Sequence, residues 1–325
     1  MPQFKVVLTD SIFPNQDIER QEVESAGGTF VLSKGGTEDE IIEAAHDADA
    51  IVTTYAEVTR RVIEATTNCK IIVRTGIGFN NIDLNAATEK GIYVCNVPDY
   101  CFDEVADHTL ALALALSRKV VLFDRKVKKN QWTHDGARPI FGLRGQTWGM
   151  LGFGNIPRNL LTKILPFGFK VLVYDPFIKP EFAAQFDIEM VDLDRLFRES
   201  DILSIHAPLT DETKEVVNSE SLRKMKPTAF LVNTSRGPLI SEPDLYQALK
   251  ENWIAGAAID VMVKEPPEAD NPLLTLDNIV ITPHAAFYSE DSSIALRHKS
   301  FQEAVRGAKG EKPLHPVNLK QLAER

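Results

Sequence analysis

Three things are scarce in this chain of 325 residues: cysteine, positive charge and apolar runs of membrane-spanning length. Asp and Glu outnumber Lys and Arg by 46 to 36, and the net charge of −10 comes with no long basic tract. That argues against a nucleic-acid or anionic-membrane surface, although a local basic cleft for a small anion remains open. The most apolar stretch, "LALALALS", is far too short to span a bilayer. The opening "MPQFKVVLTD" has neither the basic nor the apolar region of a secretion signal, so the sequence predicts a cytoplasmic protein. Cys69, Cys95 and Cys101 are odd in number and lack metal-ligand spacing, which predicts reduced thiols, no disulfide frame and no metal site. What is present, 44% hydrophobic and 25% charged residues, describes a globular chain long enough for two domains, with a small molecule as its expected partner.

Over the first hundred residues short β-type runs ("KVVLT", "TFVLS", "AIVTT") alternate with helical patterns ("QDIERQEVESAGG", "TEDEIIEAAHDA"), the rhythm of parallel βαβ units. Thr37 and Glu40 have capping-box spacing, and Gly27 and Gly91 fall where helices would end. With "KIIVRTG" and "IYVCNVP" as further strands, residues 1–99 read as a flavodoxin-like α/β domain. One long helical pattern follows, from Asp103 to about Lys129. Its middle, "TLALALALS", is apolar on every side and is predicted to be buried all round, between domains or in a dimer. A second βα series, from "TWGML" through "KVLVYD", "DILSIHAP", "AFLVNTS" and "IAGAAIDV" to "NIVITPH", predicts a second parallel sheet within residues 100–289. A closing amphipathic helix is placed to return to the first domain, so residues 290–325 are grouped with 1–99.

The stretch "GMLGFGNIPRN", residues 149–159, has the form of a strand-to-helix phosphate turn. Gly152 and Gly154 supply the tight turn and close backbone approach, and the amides of Gly154, Asn155 and Ile156 would face a pyrophosphate. Pro157 stands where a third glycine is usual. Proline disfavours helix at the preceding residue, so the regular helix is predicted to start at about Pro157, with dinucleotide binding intact. Asp175 ends "KVLVYD", where an acidic side chain can accept from both hydroxyls of an adenine ribose and would repel a 2'-phosphate; NAD is therefore expected over NADP. Alone, these residues read equally well as an ordinary turn and a strand-end cap.

Three later strands end in reactive residues: Arg236 in "NTSRG", Glu265 in "DVMVKEPP" and His284 in "TPHAAF". With these, the ordered set "RTGIGFNNID", "DEVADHTLAL", "GFGNIP", "VYDP", "HAPLT", "NTSRG", "DVMVKEPP" and "TPHAAF" resembles the D-isomer-specific 2-hydroxyacid dehydrogenases over nearly the whole chain. "VPDYCFDEVADHT" and "TPHAAFYSE" look closest to the C-terminal-binding-protein-like branch. The resemblance implies two doubly wound parallel-sheet domains, a Rossmann NAD-binding domain inserted in a flavodoxin-like substrate domain, with the cleft between them and a homodimeric assembly. It implies hydride transfer between NADH and a 2-oxo acid, giving a D-2-hydroxy acid.

In that reading His284 gives the proton, Glu265 orients and charges its ring, and Arg236 grips the substrate's carboxylate and carbonyl oxygen. The resemblance further places Thr109 on the cofactor phosphates, His206 and Pro208 on the adenine or ribose side, Thr234 by the nicotinamide ribose, and Asp260 on the carboxamide. The amides of Ile77 and Gly78 would hold the substrate carboxylate, with Tyr55, Tyr100 and Phe287 lining its side-chain pocket. His108, on a mostly apolar helix, is expected to be structural. An NAD-sensing, corepressor-like binding protein is the alternative, since such proteins carry the same three polar residues. Formate dehydrogenase, on the same fold, has glutamine as the partner of the histidine, and Glu265 argues against it.

Overall fold

The computed structural model describes residues 4–323. Two compact units form, one from residues 1–100 with 289–325 and one from 101–288. The first contains β1 (Lys5–Leu8), α1 (Asp17–Ser25), β2 (Thr29–Leu32), α2 (Glu38–Ala45), β3 (Ala50–Thr53), α3 (Arg60–Ala65), β4 (Ile71–Arg74), α4 (Leu84–Glu89) and β5 (Tyr93–Cys95). Its sheet is parallel throughout, in the flavodoxin-like order β2-β1-β3-β4-β5. The Thr37 amide donates to Glu40 at 3.2 Å, closing the expected capping box, and Gly27 and Gly91 take the left-handed conformation that ends a helix.

In the second unit run α5 (Phe102–Ser117), α6 (Val120–Lys128), β6 (Thr147–Leu151), α7 (Asn155–Ile164), β7 (Lys170–Tyr174), α8 (Pro180–Ala183), β8 (Glu189–Met190), α9 (Leu193–Glu199), β9 (Ile202–Ile205), α10 (Ser219–Lys224), β10 (Phe230–Asn233), α11 (Glu242–Lys250), β11 (Gly256–Ile259) and β12 (Ile279–Ile281). The sheet order β12-β11-β10-β9-β6-β7-β8 is the doubly wound dinucleotide-binding order, again all parallel. The middle strand β9, and β11 next to the edge, are buried at every residue, as strands covered on both faces must be. Trp148 on β6 is fully buried, edge-on to Phe169, and its indole donates to Ser204 Oγ at 2.8 Å, so the bulky ring leaves no polar atom unsatisfied.

The chain then rejoins the first unit through α12 (Glu290–Ala308) and α13 (Leu319–Ala323). α12 packs on α1, β3 and β4. Buried Arg297 on α12 forks onto Glu19 of α1, with Nε and Nη2 each 2.6 Å from a carboxylate oxygen. Such a bidentate, desolvated pair fixes the returning helix in one register.

The single long helix expected from Asp103 to about Lys129 is two. Lys119 adopts a left-handed φ of +56° between α5 and α6, and its ammonium lies 5.0 Å from the centre of the Phe230 ring, so a tertiary contact accompanies the break. The expected all-round burial of "TLALALALS" is also not met within the chain: Leu112, Ala113 and Leu116 are buried, Leu110, Leu114 and Ala115 half-buried, and Ala111 exposed.

Candidate active site

In an open parallel sheet the ligand crevice lies beyond the carboxyl ends of the strands where strand order reverses, here between β6 and β9. The loop after β6 holds Gly152 at φ +94°, and a Cβ there would stand 2.9 Å from the amide nitrogen of Ala207, just beyond β9. Glycine is thus required both by the turn and by the approach of the two loops. A Cβ on Gly154, by contrast, would meet no atom within 4 Å. Gly154 is the N-cap of α7 and no side chain caps that helix, so its first amides, at Asn155 and Ile156, are available to an anion. Beside the turn, Asp175 Oδ2 accepts from the Phe153 amide at 2.8 Å and Oδ1 from the Phe177 amide at 2.9 Å. These bonds fix the carboxylate while leaving lone pairs for ribose hydroxyls. Open amides, a glycine cradle and an anchored acid suit a dinucleotide's pyrophosphate and ribose.

The start predicted for this helix needs correction. α7 begins at Asn155, two residues before Pro157, and Pro157 is its buried third residue. The first intrahelical bond runs from the Arg158 amide to Gly154 O at 3.3 Å. A residue at position 157 would have had no intrahelical acceptor for its N–H, so proline removes nothing from the ladder.

Thr109 on α5 is fully buried, its hydroxyl 2.7 Å from Val105 O and 2.8 Å from the hydroxyl of Thr234, which follows β10. His206 follows β9, with Nε2 2.8 Å from Ser204 Oγ. Burial pushes its imidazole down to about 3, so near neutral pH this ring offers hydrogen bonds and no charge. Pro208, two residues on, is exposed.

Three strands deliver the reactive side chains. After β10 the stretch "NTSRG" closes on itself: Asn233, fully buried, accepts from the Ser235 amide at 3.0 Å and donates to Arg236 O at 2.9 Å, and the Ser235 hydroxyl donates to Ala207 O at 2.7 Å. Arg236 is half-buried on this rigid loop, with Nη1 donating to Ser235 O at 2.6 Å. Beyond β11, Glu265 accepts the Met262 amide on Oε1 at 2.8 Å, and its Oε2 lies 2.6 Å from His284 Nδ1. Burial disfavours charge on Glu265. The hydrogen bond and charge of His284, the Met262 amide and the charge of Arg236 outweigh it and hold the carboxyl below its ordinary range. Past β12, His284 stands at φ +53°, its amide 2.7 Å from Asp260 O, with the Phe287 ring edge-on 6.3 Å away. Asp260 is buried, and its carboxylate accepts the amides of Ala285 and Ala286 at 2.9 and 2.8 Å. An acid, a base and a guanidinium therefore converge at the carboxyl ends of β10 to β12.

In the first unit the remaining predicted residues lie at the corresponding edge of its own sheet. Tyr55 follows β3, exposed, with its amide donating to Asp10 Oδ2 at 2.8 Å. Ile77 and Gly78 follow β4 in a turn held by the Asn96 side chain, which donates to Ile77 O at 2.6 Å, and half-buried Tyr100 follows β5.

Residues 110–286, which carry the glycine turn, Asp175, Arg236, Glu265 and His284, match the family pattern of the D-isomer specific 2-hydroxyacid dehydrogenase NAD binding domain. This chain belongs to the D-isomer-specific 2-hydroxyacid dehydrogenase family. The dehydrogenase is 38% identical over 282 residues to a glyoxylate reductase of Korarchaeum cryptofilum, covering 86% of this chain and 85% of that one. It is 37% identical over 322 residues to the D-3-phosphoglycerate dehydrogenase of Methanocaldococcus jannaschii, covering 98% of this chain but only 60% of that relative's length. Among solved structures, the D-lactate dehydrogenase of Aquifex aeolicus, complexed with NAD and lactic acid, superposes with a TM-score of 0.83 at 28% identity, covering 99% of this chain and 98% of that one. This dehydrogenase is an NAD-dependent oxidoreductase that interconverts 2-oxo acids and D-2-hydroxy acids.

Sequence reasoning missed the residues that hold the dehydrogenase's reactive groups in place. Asn233 and Ser235 shape the Arg236 loop, and Gly237 lets the β10 and β11 loops touch: a Cβ there would lie 2.1 Å from the carbonyl carbon of Met262. Asp10 anchors the Tyr55 turn in the same way. A glycine directly after a candidate arginine was the one signal that pointed to such a contact.

Proposed function

We propose that this dehydrogenase reduces a small 2-oxo acid to its D-2-hydroxy acid with NADH preferred over NADPH, using His284 as proton donor. Glyoxylate and hydroxypyruvate are the first substrates to test, because relatives named glyoxylate reductase and hydroxypyruvate reductase are 38% and 39% identical to it. The observation that carries the reading is the 2.6 Å contact between His284 Nδ1 and Glu265 Oε2.

NADH, when bound, supplies the hydride that reaches the carbonyl carbon. Because Nδ1 of His284 is committed to Glu265, Nε2 is the nitrogen that delivers the balancing proton to the carbonyl oxygen. Glu265, held ionised, stabilises the protonated ring before transfer and fixes which nitrogen gives the proton. Arg236 grips the substrate carboxylate and offsets charge developing on the carbonyl oxygen, on a loop that Asn233 and Gly237 keep rigid. The amides of Ile77 and Gly78 serve as further donors to the carboxylate, and Tyr55, Tyr100 and Phe287 as contacts for the rest of the substrate. Residues 1–99 with 290–325 act in this reading as the substrate domain. The enzyme works in the cytoplasm as a homodimer, using the incompletely buried face of α5.

The test is turnover of a panel of 2-oxo acids with NADH, using the wild-type enzyme and His284→Ala. The variant is expected to lose about 10²- to 10⁴-fold in kcat with NADH affinity nearly unchanged, as for a lost general acid. Tight NADH binding without turnover of any 2-oxo acid would instead make the protein a cofactor-sensing binding protein.

A further inference from the structure

We propose that His108 on α5 is a positioning residue for the proton donor, acting through Thr282 and the buried carboxylate of Asp260; the inference rests on His284 giving the proton.

His284 is not glycine, yet it sits at φ +53°. Such a conformation persists where surrounding bonds over-determine it. Those bonds converge on Asp260, whose main-chain oxygen accepts the His284 amide at 2.7 Å while its carboxylate accepts the next two amides, of Ala285 and Ala286. A third donor reaches the same carboxylate: the Thr282 hydroxyl, 2.5 Å from Asp260 Oδ1. A hydroxyl has one hydrogen, and here the carboxylate takes it. The Thr282 oxygen, 3.0 Å from His108 Nε2, must therefore accept, and His108 must carry a proton on Nε2. The hydrogens run one way, from His108 to Thr282 to Asp260, with Nε2 itself 3.6 Å from Oδ1.

Asp260 is 1% exposed, so the orientation of its carboxylate is set by these donors rather than by solvent. Removing the Thr282 hydroxyl takes away one of the two donors to Oδ1 and leaves it to the Ala285 amide, which loosens the seat of the amides at 285 and 286 and lets the backbone at 284 relax from its left-handed conformation. The ring of His284 then leaves Glu265. His108 acts one bond further out, and its role is to keep the Thr282 hydrogen pointed at Asp260.

The test compares four variants of the full chain: Thr282→Val, which keeps the shape and removes the hydroxyl, Thr282→Ser, which keeps the hydroxyl, His108→Ala, and His108→Gln, which returns an N–H donor near Nε2. Steady-state kinetics with NADH and a reducible 2-oxo acid are paired with the nuclear magnetic resonance signal of the His284 ring in the cofactor-free protein. Thr282→Val and His108→Ala are expected to lose about 10- to 100-fold in kcat, the scale of a misplaced catalytic group, with KM for NADH within about threefold of wild type and a shifted His284 signal. Thr282→Ser and His108→Gln are expected to recover to within about threefold. Wild-type kcat and an unmoved His284 signal in both disruptive variants would overturn the inference, as would failure of both conservative variants to recover. Should Thr282→Val not fold, the two His108 variants decide alone. His284→Ala separates the two ideas: if it is inactive while Thr282→Val is fully active, only the relay falls, and if it is active the proton-donor reading falls.

Discussion

Gly237 packs its backbone directly against that of Met262, so closely that a Cβ on Gly237 would stand 2.1 Å from both the carbonyl carbon and the carbonyl oxygen of Met262. This contact joins the loop carrying Arg236 to the loop carrying Glu265. Gly237→Ala must push the two loops apart, because backbone atoms cannot step aside as a flexible side chain can. The expected cost is about 1–3 kcal/mol of stability, as for other overpacked sites, together with a fall in kcat larger than any change in NADH affinity. Thermal unfolding and steady-state kinetics of the variant check this; an alanine enzyme with wild-type stability and turnover would refute it.

Glu265 gives a pH dependence with a definite sign. Its carboxyl is held below the ordinary value of 4.5, so its contribution to stability is fully present above pH 4.5 and is lost as pH falls through the lowered folded value. The difference in unfolding free energy between wild type and Glu265→Gln should therefore shrink as pH falls below 4.5. A difference that grew as pH fell below 4.5 would contradict the pairing with His284. Chemical denaturation at a series of pH values measures it.

Asp175 should enforce NADH over NADPH by repelling a 2'-phosphate, with a preference of at least about tenfold in kcat/KM, equivalent to 1.4 kcal/mol. Because its oxygens also hold the amides of Phe153 and Phe177, Asp175→Ala should both narrow the preference and lower the melting temperature. Equal kcat/KM with the two cofactors in the wild-type enzyme would remove Asp175 from cofactor selection.

Pro157→Gly should change NADH affinity by less than about tenfold in either direction. Proline at the third helical position removes no hydrogen bond, and the amides of Gly154, Asn155 and Ile156 precede it. Fluorescence titration with NADH tests this, and micromolar binding seen with the glycine variant alone would show that the natural turn is a degenerate fingerprint.

The apolar stretch of α5 leaves Ala111 exposed and Leu110, Leu114 and Ala115 half-buried. If a second copy covers this face, sedimentation at micromolar concentration should give twice the chain mass of 36.2 kDa, and Ala111→Glu should shift the mass toward monomer. A wild-type protein that sediments only as monomer would rule out the dimer.

Two parallel sheets and the glycine turn were legible in the sequence because their signals are local. Alternating βα periodicity, two glycines between a strand and a helix, and an acid at the end of the next strand each depend on neighbours in the chain. Arg236, Glu265 and His284 stood out as a set only through family motifs, since nothing in their spacing brings three strand ends together. Tertiary structure decided the rest. The helical run breaks at Lys119, between α5 and α6, and the Lys119 ammonium lies over Phe230, a residue more than a hundred positions away in the sequence. α7 begins two residues before Pro157, which is buried at its third position, whereas the local rule about the residue preceding proline placed the start later. The left-handed backbone of His284, the clasp between Gly237 and Met262 and the run of hydrogens from His108 to Asp260 each need partners from separate strands or helices. A residue's chemistry is written at its own position, but its orientation belongs to the contacts that only the folded chain assembles.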